Sequence, residues 1–340
     1  MKKIILIFIS VFTLSSVFAQ NNIATTVQTG LKQNSVVVQT GSDNNAEINQ
    51  VNTQTTSRLS IITNASIEQT GISNSSVITQ NIDNTTRIGN KSNTVQNGDF
   101  NDGIQTTTTA ISGGGLNESL SQTGNYNKSE QTLKTNTHVG MWGDHITVEQ
   151  IGNVNIASQS VVDGGLNFAI IHSEGNDNSA IQSLTGIFNG YGRGVTPITI
   201  DQVGNENIAE QTMVGENRTM NNRAVILQTG NKNSGIQTFD NSLEVTATLT
   251  QIGDENVSVS SFTPGNVYVV SYDDNADIYQ EGNNNNSVTS QAGSYQSIDV
   301  TQTGNFNMST VEQNDFYNVS NVTQNGNSNV SNITQSQYAH

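Results

Sequence analysis

Gln39-Thr40-Gly41-Ser42-Asp43-Asn44-Asn45-Ala46-Glu47-Ile48-Asn49-Gln50 is the stretch from which the fold can be read. Its first half, Gln-x-Gly-x-x-Asn, starts again at Gln69, Gln96, Gln122, Gln150, Gln202, Gln228, Gln251, Gln280, Gln302 and Gln324, which makes eleven intact copies. Their glycines and asparagines include Gly71 with Asn74, Gly152 with Asn155, Gly204 with Asn207, Gly304 with Asn307 and Gly326 with Asn329. With 28 Gln, 30 Gly and 49 Asn in 340 residues, independent placement gives about 0.4 copies, so chance is excluded. Three imperfect copies fill gaps: the Asn slips to Asn34 after Gln28, Ser173 replaces Gln, and Asp315 replaces Gly after Gln313. Anchors lie mostly 22 to 30 residues apart, with 11-residue steps near both ends. A period in this range is the signature of a solenoid or another repeat array.

Count each anchor Gln as zero. Position 5 is Asn, and position 7 is small, as at Ala46, Ser76, Ala157, Ala180, Ala209, Gly235, Ser309 and Ser331. Positions 9 and 11 hold one apolar residue and one Gln, in either order. Ile48 with Gln50, Ile78 with Gln80 and Ile333 with Gln335 show one order; Gln159 with Val161 and Gln211 with Met213 show the other. Upstream, positions −2 and −4 are often apolar, as at Val148 and Ile146 or Ile200 and Ile198. All of these share one parity on each side of the turn, and period-two alternation means strands with these residues on one face.

The turn is equally legible. Gly at position 2 supplies the positive φ of a sharp reversal, and Asn at position 3 (Asn125, Asn153, Asn205) tolerates the same region. Each unit is therefore strand, tight turn, strand, with a second turn leading on. Pro197 and Pro264 fall at second turns or strand entrances, where no ladder bond is lost.

The expected fold class is all-β: a two-sheet β-solenoid over residues 28–340. Coils about 4.8 Å apart and sheets about 10 Å apart give about twelve coils in a rod about 60 Å long. Gln39, Gln69, Gln150, Gln202, Gln302 and Gln324 then fall in one column, and Gln50, Gln80, Gln313 and Gln335 in another. Stacked amides form ladders, whereas an isolated buried amide costs about 1–3 kcal/mol. A disordered chain would need no phase relation among these residues, yet one runs from Gln28 to Gln335.

The string Q-x-G-x-x-N-x-(A/S)-x-x-x-Q resembles the curlin repeat. Gln39 to Gln50 reads it letter for letter, and Gln69 to Gln80, Gln302 to Gln313 and Gln324 to Gln335 do so with Ser at the small position. The resemblance implies a subunit of curli-type amyloid fibres that polymerises at the cell surface and supports biofilm matrix and adhesion. It implies three partners: further copies of the chain, a curli-type nucleator, and the outer-membrane pore that passes the chain unfolded. Family members commonly carry a Gly-rich, pore-addressing segment after the signal, and Gln20 to Val27 is too short for one.

Compartment is read from the first residues. Lys2 and Lys3, an apolar run from Ile4 to Phe12, and Val17-Phe18-Ala19 follow the order of a secretory signal over residues 1–19. The run is too short to span about 30 Å of hydrocarbon, and no later stretch is apolar enough to span a bilayer. Residues 20–27 are then a short segment at the start of a secreted chain. Losing two lysines takes the formal charge from −16 to −18, a surface that repels nucleic acid and anionic lipid. With no Cys, neither disulfides nor thiolate metal sites hold the fold.

Catalytic and metal chemistry finds no foothold. His138, His145, His172 and His340 lack metal-ligand spacing. The acidic run Asp273-Asp274-Asn275-Ala276-Asp277 lacks the Gly and terminal Glu of an EF-hand, and Gly190-Tyr191-Gly192-Arg193-Gly194 lacks the Lys-Ser/Thr of a P-loop. No cofactor and no enzymatic activity are expected. Two other readings use the same fold. An ice- or surface-binding solenoid calls for a regular Thr-x-Thr face, but outward positions are mixed, as at Asn45 and Glu47 or Ile208 and Glu210. A monomeric cell-surface adhesin differs from a fibre subunit only in assembly state. The expected end strands favour the fibre, because no helix, Pro or Lys-rich cap follows the last repeat and open edges template addition.

Overall fold

A computed structural model of the chain describes residues 21–53, 62–82, 89–109, 115–135, 143–165, 167–188, 197–264 and 271–336. The expected signal lies outside these residues, as do the Gly-rich stretch 190–194, His138 and His340. Among the described residues all regular structure is strand. Strands alternate between a thirteen-stranded sheet, from Ile23–Gly30 to Val330–Ser336, and a twelve-stranded sheet, from Gln33–Ser42 to Val319–Asn325. Neighbours in each sheet come from successive coils, and every pairing is parallel, as Gln251 beside Gln280 and Gln280 beside Gln302 illustrate. The protein is a two-sheet β-solenoid. A two-stranded annex, Ser242–Leu243 with Ser271–Tyr272, joins two of the longer second turns.

Coil Ile146 to Val161 shows why these residues fold this way. Ile146, Val148 and Gln150 point inward from one strand, the chain reverses through Gly152-Asn153-Val154-Asn155, and Ala157, Gln159 and Val161 point inward from the next. Inward and outward residues alternate through nearly all the strands, so a one-residue slip would turn the whole inward set to solvent. Position 7 must be small because it lies against the facing anchor column. A Cβ on Gly235 would stand 2.7 Å from Leu249 Cδ2 and 3.2 Å from Gln228 Nε2.

The turn corrects the sequence reading in one respect. The positive φ values fall at position 2, the glycine, and at position 4, which is Phe100, Tyr126, Val154, Glu206 or Lys232 in different coils, with φ between 57° and 60° at these five. Position 3 does not share that region. Its Asn side chains instead form an exposed column, in which the Asn153 backbone N–H and Nδ2 both donate to Asn176 Oδ1, at 3.0 and 2.9 Å. A side chain at position 4 is held in left-handed backbone because the coils on either side repeat the same turn.

The solenoid also starts earlier than the repeat pattern suggests. Ile23–Gly30 is its first described strand, and Gln28 pairs with Gln50 in the thirteen-stranded sheet. Gln313 lies in that same sheet, between Gln291 and Gln335. Neither residue is a displaced anchor, since the anchors occupy the twelve-stranded sheet. Each closes the inner column of its strand before a second turn of the same design, with positive φ at Gly30 and Lys32 in one and at Asp315 and Tyr317 in the other.

Candidate functional site

The chemically distinctive feature is a set of amide columns running along the rod axis. The first holds the anchor residues. Gln39 Nε2 donates to Gln69 Oε1 at 2.9 Å, and the chain of bonds continues through Gln96 and Gln122 to Gln150 at 2.8, 2.8 and 2.9 Å. It resumes from Gln202 through Gln228, Gln251, Gln280 and Gln302 to Gln324 at 2.8–2.9 Å. The amide nitrogens also reach across to the facing sheet, as Gln122 Nε2 does to the Asp102 carbonyl at 3.0 Å. Both amide protons are thus used, and Gln can be fully buried at little cost. Ser173 interrupts the column. Its hydroxyl donates to Gln202 Oε1 at 3.1 Å.

The second column belongs to the position-5 asparagines and is unbroken. Asn44 Nδ2 donates to Asn22 Oδ1, and each later Asn donates to the one before it, through Asn74, Asn101, Asn127, Asn155, Asn178, Asn207, Asn233, Asn256, Asn285 and Asn307 to Asn329, at 2.9–3.2 Å. The same amides bond the turn glycine of the following coil, as Asn207 does to the Gly230 carbonyl at 2.8 Å. The two columns have opposite polarity: Gln amides donate toward later coils, Asn amides toward earlier ones. Gly41, Gly71, Gly152, Gly204, Gly304 and Gly326 all have φ between 105° and 125° beside these columns.

The third column, on the thirteen-stranded sheet, changes track. Gln28, Gln50 and Gln80 occupy position 11 and bond in series at 2.7 Å. Gln105, Gln131, Gln159, Gln182, Gln211 and Gln237 occupy position 9, at 2.7–3.0 Å. Gln291, Gln313 and Gln335 return to position 11, at 3.2 and 2.8 Å. Register is unbroken across the first change, where Ile78 stands beside Gln105 and Gln80 beside Thr107. The two orders seen in the sequence are therefore one strand geometry with exchanged occupants. Sequence reasoning missed Asn22 as the first member of the Asn column, and it missed the inward carboxyls Glu118 and Asp144.

Titratable groups outside the columns have local roles. His172 Nδ1 lies 2.7 Å from Asp201 Oδ1 on the outer face, and that hydrogen bond holds the imidazole above its ordinary pKa. His145 stacks on Phe168, with ring centroids 4.5 Å apart. Asp274 accepts from the Gln296 backbone N–H at 2.8 Å.

Fold and columns together define a class: a parallel β-solenoid whose interior is laddered by in-register amides. Residues 273–304 match the family described as Curlin associated repeat, and that stretch holds the string from Gln280 through Gly282 to Asn285. The matched coil is continuous with its neighbours through Gln251, Gln280 and Gln302. No curated protein matches the chain.

Proposed function

We propose that this chain is a secreted structural subunit of curli-like amyloid fibres, assembling by end-to-end β-stacking and serving biofilm matrix and adhesion rather than catalysis. The observation that carries the reading is the unbroken Asn column and the fixed polarity of the amide columns at the end strands. At one end Asn329 brings its Oδ1 to the top of the Asn column, and at the other Asn22 stands first in it. A second copy placed with Ile23–Gly30 on Val330–Ser336 sets Asn22 above Asn329, Ala24 above Ser331 and Gln28 above Gln335, with donors meeting acceptors in both columns. Head-to-head contact would oppose like groups. Both terminal described strands belong to the same sheet, so the junction pairs strand to strand there. Strand edges unpaired among the described residues, as these are, template further addition. The further partners in this reading are a nucleator of the same repeat and an outer-membrane pore.

Purified chain without residues 1–19, incubated with thioflavin T and imaged by negative-stain electron microscopy, tests the proposal. Fibres whose growth is seeded by preformed fragments are expected. A chain that stays monomeric at high concentration with intact sheet structure would sink it and favour a monomeric adhesin.

A further inference from the structure

The interior of the rod is not uniform. One hydrophobic cluster comprises Ala46, Ile48, Ala65, Ile67 and Ile78 with Val37, and a second begins at Leu116, Leu120 and Leu133 and runs to Val322 and Ile333. Between them lies the coil formed by Lys91–Asn97 and Asp102–Thr109. Its buried inward residues are Ser92, Thr94, Gln96, Asn101, Gly103, Gln105, Thr107 and Thr109, with no hydrocarbon side chain among them. The third amide column also changes track here. Gln80 Nε2, the last donor of the first track, gives its proton to Ser92 Oγ at 2.8 Å, and Thr94 Oγ1 donates to Gln105 Oε1 at 3.0 Å, where the next track starts.

The bonds converge on one carboxyl. Glu118 Oε2 accepts from Ser92 Oγ at 2.9 Å and from Thr107 Oγ1 at 2.7 Å, while Oε1 has no hydrogen-bond partner among the described residues. Glu118 is 2% exposed, and burial pushes its carboxyl up to about 7 against the pull of those two hydroxyls. The charged residues on the strands packed around it are Lys91, Asp102, Lys128, Glu130, Lys134, His145 and Glu149, all at outward positions. Asp144, in the turn before His145–Asn153, is the other buried acid nearby. Among the described residues no cation faces Glu118 to offset a negative charge.

We propose that this coil is a polar seam, at which Ile23–Thr109 lifts from the remaining coils as one unit, and that protonation of Glu118 closes it. A neutral carboxyl fits the seam, whereas an ionised one is held by two hydroxyls in a dry interior. Lifting the unit removes Ser92 and Thr107 and admits water to the carboxylate. The sign follows from linkage. A carboxyl raised in the closed state favours closure below its ordinary value near 4.5, and that advantage is lost as pH rises through about 7. The seam lies within one chain, so the inference does not depend on fibre assembly.

Hydrogen exchange of the full chain without residues 1–19, in 0.5 M salt at pH 5.5 and 8.5, is the test. Protection of 23–109 is read relative to 145–336 in the same sample, which cancels the intrinsic pH dependence of exchange. We expect that ratio to fall about 30-fold at the higher pH, and Glu118→Gln to abolish the fall. Thr107→Val removes one donor to the carboxylate and deepens it. Asp144→Asn leaves it in place. Parallel changes in the two blocks, a fall that survives Glu118→Gln, or a shallower fall in Thr107→Val would each overturn the seam.

Discussion

Gly204 lies directly against Gly230 in the next coil, so closely that a Cβ on Gly204 would overlap the Gly230 carbonyl oxygen. With φ at 125°, Gly204 combines a backbone conformation that side chains resist with a space that no side chain can enter. Gly204→Ala is therefore expected to cost more than about 3 kcal/mol. Gly326 has a similar φ of 111°, but its nearest neighbour to such a Cβ is Asn329 Nδ2 at 3.7 Å. Gly326→Ala should cost only the conformational strain, about 1–2 kcal/mol. Equal losses for the two in denaturant unfolding of the soluble chain would show that coil stacking is not what crowds the turn.

Ser173 breaks an otherwise continuous Gln column, and the neighbouring coils accommodate Gln150 and Gln202 opposite Ala157 and Ala209. Ser173→Gln restores an acceptor for Gln150 and keeps the donor to Gln202 that the Ser173 hydroxyl already supplies. It should raise stability by about 1 kcal/mol, seen as a higher thermal midpoint. The converse change, Gln251→Leu, leaves Gln228 and Gln280 without their partner and should cost about 2–3 kcal/mol. An unchanged midpoint in both variants would mean that the columns carry no energy.

Ser287 and Ser309 occupy position 7, and their hydroxyls find no partner among the described residues, whereas Ala157 and Ala209 fill the same place with none to satisfy. Ser287→Ala is expected to be neutral or to stabilise by about 1 kcal/mol. A clear loss in its thermal midpoint would reveal a bond that this geometry does not contain.

Asp144 sits in a second turn with its Oδ1 accepting from the Asn167 backbone N–H at 2.9 Å, and burial pushes its carboxyl up to about 6. Its raised value favours the folded state below its ordinary pKa of 3.8, an advantage lost as pH rises through about 6. Asn keeps the acceptor without the charge. Asp144→Asn should gain on the order of 2–3 kcal/mol at pH 8 and almost nothing at pH 3.5. A pH-independent gain would place the cause elsewhere.

Surface charge should act separately from these buried acids. At −16 overall the chains repel one another, so assembly should run faster at pH 5 than at pH 8 in dilute buffer. Salt at 0.5 M should remove most of that difference, because exposed charges are screened within a few ångströms. A difference that salt leaves intact would assign it to buried groups instead.

Much of this fold is legible in the chain because each anchor Gln, turn Gly and position-5 Asn is dictated by contact with its own counterpart one coil away. Repetition in space has to be written as repetition in sequence. The track change of the third column was legible only as two residue orders, since exchanging Ile78-x-Gln80 for Gln105-x-Thr107 preserves parity and register. Position 4 gave no signal at all: its left-handed backbone is imposed by stacking, and Phe100, Val154 and Lys232 have nothing in common. Glu118 stands at position −4 of Gln122, an inward place by the period-two rule. Its carboxyl ran against the apolar pattern there, and only the facing hydroxyls show how it is accommodated.

Fibre diffraction from an aligned, assembled sample tests the central claim most directly. Coils stacked along the growth axis predict a sharp meridional reflection near 4.8 Å and a broader equatorial one near 10 Å. A 4.8 Å reflection lying on the equator, or missing altogether, would contradict the stacked solenoid as the unit of the fibre.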